Sequence, residues 1–123
     1  MYTDVQKVRL ELKGVDSALV PDSSETAFSL GTAISKACAI VDAYLGTNWT
    51  VPTPVPELVA QVATDLSVGL VLEWLYSEGV EASIGVWESK IKRAKELLEK
   101  IADGRIEAGL QPKTEAAGGM WVA

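Results

Sequence analysis

Histidine is absent from this 123-residue sequence, and cysteine occurs only once. Without histidine, the chain cannot use His-based acid–base catalysis, a Ser–His or Cys–His nucleophile, or a zinc site built from Cys and His. The lone Cys38 cannot form an internal disulfide, and its place on an apolar helical stripe indicates a small core residue rather than a reactive thiol. Glycine-rich phosphate-binding loops are also missing. The sequence therefore predicts a protein that is not an enzyme and that has no cofactor and no metal.

Positive charge is scarce as well. The chain has 11 Lys and Arg against 17 Asp and Glu, which gives a net charge of −6, whereas a protein that grips nucleic acid needs an excess of cations. Residues 1–12 mix acids and bases where a signal peptide would be apolar. The strongest apolar run, residues 68–72, ends at Glu73 and is too short to span a membrane. These absences predict one small, acidic, cytoplasmic domain with no membrane contact.

Helical periodicity dominates what is present. The spacing predicts a first helix over residues 4–12, with Thr3 as its cap and Gly14 just past its end. A second helix is expected over residues 25–45, with a capping-box spacing between Asp22 and Glu25, although Ser23 or Ser24 could be the cap instead. Its apolar stripe recurs every three or four positions and consists of Leu30, Ile34, Ala37, Cys38, Val41, Tyr44 and Leu45.

Alternating prolines separate the second helix from the third. Pro52, Pro54 and Pro56 have fixed φ and no N–H, so residues 47–56 are expected to form an extended connection rather than a strand of a sheet. Pro56 is well placed as the first residue of the third helix. That helix is expected to end near residues 77–79.

The second half of the third helix, residues 66–76, is apolar nearly all round. Such a helix is either the central core helix of the bundle or part of a subunit interface, and the sequence leaves both interpretations open. Trp49, in the connection, either folds back onto the bundle or is an exposed contact. The candidate subunit-interface residues are Val68, Leu72, Leu75 and Trp49.

A fourth helix is predicted over residues 81–102, where apolar residues alternate at spacings of three and four. Its seam consists of Ile84, Trp87, Ile91, Ala94, Leu98 and Ile101, and Gly104 ends it. The sequence thus predicts an all-α fold: a small bundle of four main helices over residues 1–104, followed by an extended C-terminal arm over residues 105–123.

The arm carries an apolar tip, Met120-Trp121-Val122, behind Gly118-Gly119. Trp and Met are common interface anchors, so we favour docking of the tip onto another molecule over packing against its own domain or disorder. Residues 105–110 are the candidate for a strand that is added to a partner's sheet. The candidate partner-binding residues of the arm are Arg105, Ile106, Leu110, Met120, Trp121 and Val122.

Two carboxylates, Asp42 and Asp65, are expected near helix-packing surfaces. Paired acids can bind a metal or perform acid–base chemistry, but di-metal bundles combine Glu with His at the third following position. Because the chain has no His, we interpret both residues as members of surface or helix-packing salt bridges.

The order and spacing of these helical segments resemble a known family. The stretches that carry the resemblance are residues 33–45, which end in Asp42-Ala43-Tyr44-Leu45; Val51-Pro52; Val55-Pro56-Glu57-Leu58; residues 63–66 with Leu72 and Tyr76; Trp87-Glu88; and residues 94–104, which end in Ile101-Ala102-Asp103-Gly104. Together they resemble the small α-helical head–tail connector proteins of tailed bacteriophages, also called adaptor or head-completion proteins, including the Mu-like branch. The resemblance covers residues 2–110.

This resemblance implies a structural role in the virion and no catalysis. Such proteins form a ring, usually of twelve copies, on the portal of the filled head and extend the DNA channel. Their expected partners are the portal protein, neighbouring copies of the same chain, and the next head-completion, stopper or tail protein. Genomic DNA would pass through the lumen without specific binding, which suits an acidic protein. The expected location is the head–tail junction of the virion, and the host cytoplasm during assembly.

A second interpretation comes from a different class of protein. A small helical regulatory module could use the apolar C-terminal tail to bind a host protein. Free connectors are often monomeric, so the oligomeric state in solution separates the two interpretations only partly.

Overall fold

Four helices carry the fold in the part of the chain that the structure, a computed structural model, describes: residues 2–12, 20–46, 48–79 and 84–112, with backbone only for residues 84–86. The helices are α1 (Val5–Glu11), α2 (Leu30–Leu45), α3 (Glu57–Ser77) and α4 (Ile84–Ala102). Two short strands, β1 (Trp49–Thr50) and β2 (Gln111–Pro112), complete it. The predicted all-α bundle of four helices is confirmed.

The central element is α3, which packs against each of the other three helices. Val68 and Leu75, on the face that a surface helix would expose to water, are 1% and 2% exposed. They contact α1 and the first half of α2. The apolar half of α3 is therefore explained by burial inside the chain's own core.

The interior divides into two cores along α3. The first core lies between the second half of α2, the first half of α3 and α4; its main side chains are Val41, Leu45, Val62, Leu66, Leu98 and Ile101. The second core lies between α1, Val20, the first half of α2 and the second half of α3; its main side chains are Val8, Val20, Leu30, Ile34, Val68 and Val71. The buried residues of α4 thus belong to the first core and those of α1 to the second.

By length and composition, α3 is apolar enough to cross a membrane. A central core helix passes the same test, and 56% of its most apolar window is buried in the fold. Packing on three helices accounts for this composition.

A close approach of α4 to α3 occurs at Gly69. A Cβ atom at this position would lie 2.6 Å from Cγ1 of Ile91 and 3.5 Å from the carbonyl oxygen of Trp87. Contacts below 3 Å are repulsive, so a side chain here would push the helices apart. Gly69 is therefore required by packing, although glycine is a poor helix former.

The starts of the first two helices differ from the sequence expectation. Asp4, not Thr3, caps α1, and its carboxylate accepts a hydrogen bond from the Lys7 amide. Thr3 is buried, and its hydroxyl is 2.7 Å from the hydroxyl of Thr64. Asp4 can cap because it is exposed at the helix start, while Thr3 ties the N-terminal segment to α3.

The predicted capping box at Asp22 and Glu25 is wrong, because α2 begins at Leu30 with Ser29 as its cap. Residues 21–29 instead fold back over the helix start. The amides of Leu30 and Gly31 donate to the carbonyl oxygens of Pro21 and Asp22, at 2.9 and 3.0 Å. These backbone bonds satisfy two amide donors of the first turn of α2, which have no acceptor within the helix.

The proline-rich connection contains a strand that the sequence did not predict. Trp49 and Thr50 pair antiparallel with Pro112 and Gln111. The pairing precedes the three prolines, so it needs no N–H from them. Pro56 lies immediately before α3 rather than within it.

Two glycine substitutions separate packing from helix propensity. Gly69→Ala should lower the free energy of unfolding by about 1–3 kcal/mol, because the overpacking against Ile91 outweighs the gain in helix propensity. The measurement is urea denaturation of the full chain.

Gly31→Ala is the matched control. Its Cβ would be 3.5 Å from the nearest atom outside its own turn, the carbonyl oxygen of Asp22, so the substitution should be neutral or stabilise by about 0.5–1 kcal/mol. Equal effects at both positions would contradict the packing argument at Gly69.

Candidate functional site

Trp49 joins the connection to the end of α4. Its indole Nε1 donates to the carbonyl oxygen of Ala102 at 2.9 Å, one of the orphan acceptors at a helix C-terminus. The β1–β2 pairing fixes the same segment against residues 111–112. Trp49 is half-buried and packs against the first core, so the structure places it on its own bundle with part of the ring exposed.

The described part of the arm, residues 105–112, lies against the bundle. Ala108 is buried in the first core, and Ile106 and Leu110 pack on it. Gly104 and Gly109 have φ of 80° and 77°, a conformation that favours glycine and lets the chain turn back at both points. Residues 105–110 are irregular, with bends, and the strand comes after them, at Gln111–Pro112.

A cavity of about 340 Å³ lies between Trp49 and this part of the arm. Ile101 of α4 borders it, together with Ile106, Leu110 and Pro112 of the arm. Arg105 is exposed and pairs with Asp103 at 2.8 Å. The structure thus brings three of the candidate partner-binding residues to one edge of the molecule, beside Trp49.

The other three candidates, Met120, Trp121 and Val122, lie outside the described residues. The predicted division into a bundle of residues 1–104 and an arm of residues 105–123 stays a prediction for the same reason. Within the described range, the arm's first eight residues contact the bundle rather than stand apart from it.

The candidate subunit-interface residues do not share one surface. Val68 and Leu75 are inside the second core, whereas Leu72 is half-buried at its edge. Trp49 belongs to the region of the first core. In the monomer only Leu72 and Trp49 retain exposed area, and their role in an interface stays a prediction.

The two carboxylates considered for chemistry have structural partners. The Asp65 carboxylate accepts a hydrogen bond from the side-chain amide of Gln61 at 3.0 Å. It also lies 3.9 Å from Lys90 Nζ, as the salt-bridge interpretation expects. Asp42 accepts a hydrogen bond from the Tyr2 hydroxyl. Burial, and next the bond to Asp42, raise the pKa of Tyr2 from 10.0 to about 12, so this phenol stays the hydrogen-bond donor to Asp42 also at alkaline pH near 10. Among the described residues no cluster of acids and Cys could hold a metal ion.

A groove between α2 and α4 was not predicted from the sequence. This α2–α4 groove has a volume of about 540 Å³. Tyr44, Trp87 and Ile91 contribute its apolar surface, and charged side chains form its rim: Glu73, Glu88, Lys92, Lys95, Glu96 and Glu99. Trp87 and Ile91 belong to the predicted seam of α4, but both are only half-buried. The spacing of apolar residues in α4 predicted correctly which face of the helix Trp87 and Ile91 occupy. The spacing could not show that α2 leaves this part of the face uncovered.

Within the described residues, the indole Nε1 of Trp87 is buried and has no hydrogen-bond partner. An unpaired buried donor loses its bond to water without compensation, at a cost of about 1–3 kcal/mol. The two tryptophans therefore differ in their indole N–H groups. That of Trp49 donates a hydrogen bond that ties the connection to α4, whereas that of Trp87 makes no bond among the described residues.

Comparison with known protein families identifies a match over nearly the whole chain. The family model described as bacteriophage Mu, Gp36 matches residues 5–122, nearly the whole chain. No curated protein matches the chain, and no solved structure does.

The two tryptophans allow a paired test. Trp49→Phe should lower the free energy of unfolding by about 1 kcal/mol or more, because it removes the hydrogen bond to Ala102 and leaves that carbonyl unpaired. Trp87→Phe removes a donor that makes no bond among the described residues, so it should cost less or stabilise. Urea denaturation measures both variants. If both substitutions lowered the free energy of unfolding by the same amount, the packing of the Trp49 ring, and not its hydrogen bond, would be what stabilises this position.

Proposed function

We propose that this chain, which belongs to the bacteriophage Mu Gp36 family, is a head–tail connector of a phage particle. Family membership makes it a phage structural protein, associated with the virion, and favours that role over an enzyme. The observation that carries the proposal is the extent of the match, which runs from the start of α1 through all four helices and the arm.

In this proposal the chain assembles as a ring on the portal of the filled head, with twelve copies as is usual for connector proteins. The ring extends the DNA channel and offers its far side to the next head-completion, stopper or tail protein. The chain acts in the host cytoplasm during assembly and at the head–tail junction in the finished virion.

The charge of the chain supports a role around moving DNA. A net charge of −6 repels phosphates, and a channel wall that bound them would slow the passage of the genome. The described residues offer contact surfaces rather than a reaction site: the edge formed by Trp49 and the arm, and the α2–α4 groove.

The arm is the proposed portal-binding element. Arg105, Ile106 and Leu110 lie beside Trp49 at one edge of the bundle, where a partner strand could reach the short β1–β2 pair. The tip, Met120-Trp121-Val122, supplies the apolar residue types that anchor interfaces.

Binding to heads tests the proposal directly. DNA-filled, portal-bearing heads from a mutant that lacks this protein are mixed with the purified full chain, and the vertex is imaged. A ring of density on the portal, with tail joining restored, is the expected outcome. If no ring forms and the deletion mutant joins tails normally, the chain is not a connector.

Removal of residues 114–123 should abolish portal attachment and leave helicity and Tm almost unchanged, because the helices and core residues that the structure describes all lie before residue 113. Binding to the heads and circular dichroism are the two measurements.

A triple variant keeps the length of the arm as a control: Met120→Ser, Trp121→Ser and Val122→Ser. It should lose attachment as the truncation does, if the apolar tip is what docks. A truncation that unfolds the domain would show instead that the tail belongs to the core.

A further inference from the structure

Charge is unevenly distributed along the chain. Residues 20–79 contain seven carboxylates and one cation, Lys36, whereas α4 alone contains five of the eleven Lys and Arg residues. The cations of this acidic protein are therefore concentrated on one helix. Such segregation matters for association, because a surface of one sign steers and orients a partner of the other sign.

One flank of α4 carries a row of three cations. Lys90, Arg93, Leu97 and Lys100 follow one another at spacings of three and four, which places them on one side of the helix. We call this side the basic flank. Lys90 lies near Asp65, but among the described residues neither Arg93 nor Lys100 has a carboxylate within 4 Å. Both are exposed, and Leu97 between them is half-buried.

A second side of α4 borders the α2–α4 groove, whose rim is acidic. Four glutamates and two lysines line it: Glu73, Glu88, Glu96, Glu99, Lys92 and Lys95. The rim therefore has an excess of two negative charges around an aromatic and aliphatic surface. The basic flank and the acidic groove are thus two different surfaces of one helix, and Glu96, three residues from Arg93 and four from Lys100, lies at the border between them.

We propose that the basic flank of one copy docks into the α2–α4 groove of the next copy, an inference that rests on the proposed ring and names the surfaces that build it. Because each copy uses two different surfaces, the contact is head-to-tail, and every bound copy still has one free surface to which a further copy can bind. Contacts of this kind close into a ring when the rotation between copies fits.

The dimensions of the two surfaces agree. Arg93 and Lys100 are about 10 Å apart along the helix axis, and Glu88 and Glu96 are about 12 Å apart, at 1.5 Å of rise per residue. Two ion pairs can therefore form at once along two neighbouring helices. Leu97, midway between the cations, then faces the apolar surface of the groove.

The aromatic residues of the groove add to this fit. An arginine guanidinium stacks well on Trp and Tyr rings, and Trp87 and Tyr44 both line the groove. Leu97 supplies the aliphatic contact between the two ion pairs. If the basic flanks of two copies met each other, or if their two grooves did, like charges would come together. The charges therefore also select the head-to-tail arrangement.

Charge reversal provides the test. A flank variant carries Arg93→Glu and Lys100→Glu, and a rim variant carries Glu88→Lys and Glu96→Lys. Each variant alone brings like charges together and should bind portal-bearing heads at least about tenfold more weakly than the wild type. The readout is the number of copies bound per head, from gel densitometry against the portal band.

An equimolar mixture of the two variants should restore binding. The acidic flank of one variant then meets the basic rim of the other, and the basic flank of the second meets the acidic rim of the first. Copies alternate, and an even-numbered ring can close. Lys7→Glu on the exposed face of α1 is the control and should bind as the wild type, while the single change Arg93→Glu should weaken binding.

The outcomes separate this contact from the proposed function. Two results would overturn the flank–groove contact while leaving the connector role intact. In the first, both charge-reversed variants bind heads as well as the wild type does; in the second, the wild type binds but the mixture of the two variants does not. Failure of the wild type to bind heads defeats the connector role instead. The contact is then judged by sedimentation of the mixture at about 20 mM salt, where charge screening is weak: hetero-oligomers support it, and separate monomers overturn it.

Discussion

Burial of α3 on several sides depends on how closely α4 can approach it at Gly69. A Cβ atom there would overlap Ile91, and every turn of α3 on either side of this point is packed by another helix. The loss of helix propensity at a glycine, about 1 kcal/mol, is small beside the apolar area that the close approach keeps away from water. The first core, to which α4 contributes Ala94, Leu98 and Ile101, depends on this contact with α3.

Electrostatics organises the surface in the way that packing organises the interior. The cations concentrate on α4, where one side carries Lys90, Arg93 and Lys100 and the next side borders a rim with four glutamates and two lysines. A helix can present both because residues three and four apart share a side whereas residues two apart do not. A small acidic protein can thus repel DNA through its net charge and still carry a surface that attracts another protein.

Much of the fold could be predicted from the sequence, because apolar spacing reports helix faces directly. The stripe of α2 from Leu30 to Leu45 and the seam of α4 are examples. Caps were harder, since they depend on which chain segment returns to the helix start: the carbonyls of Pro21 and Asp22 took the place of the expected capping box. The α2–α4 groove could not be read from periodicity either. Whether Trp87 is covered depends on where α2 lies, and the spacing within α4 contains no such information.

The division of the interior into two cores has a consequence for motion. The buried residues of α1 belong only to the second core, and those of α4 only to the first. Opening of α1 therefore exposes the second core without separating α4 from α3. Local unfolding in such a structure is stepwise, and backbone amides exchange their hydrogens according to the core that protects them. The amides of α2 and α3 report both events, because each of these two helices contributes buried residues to both cores.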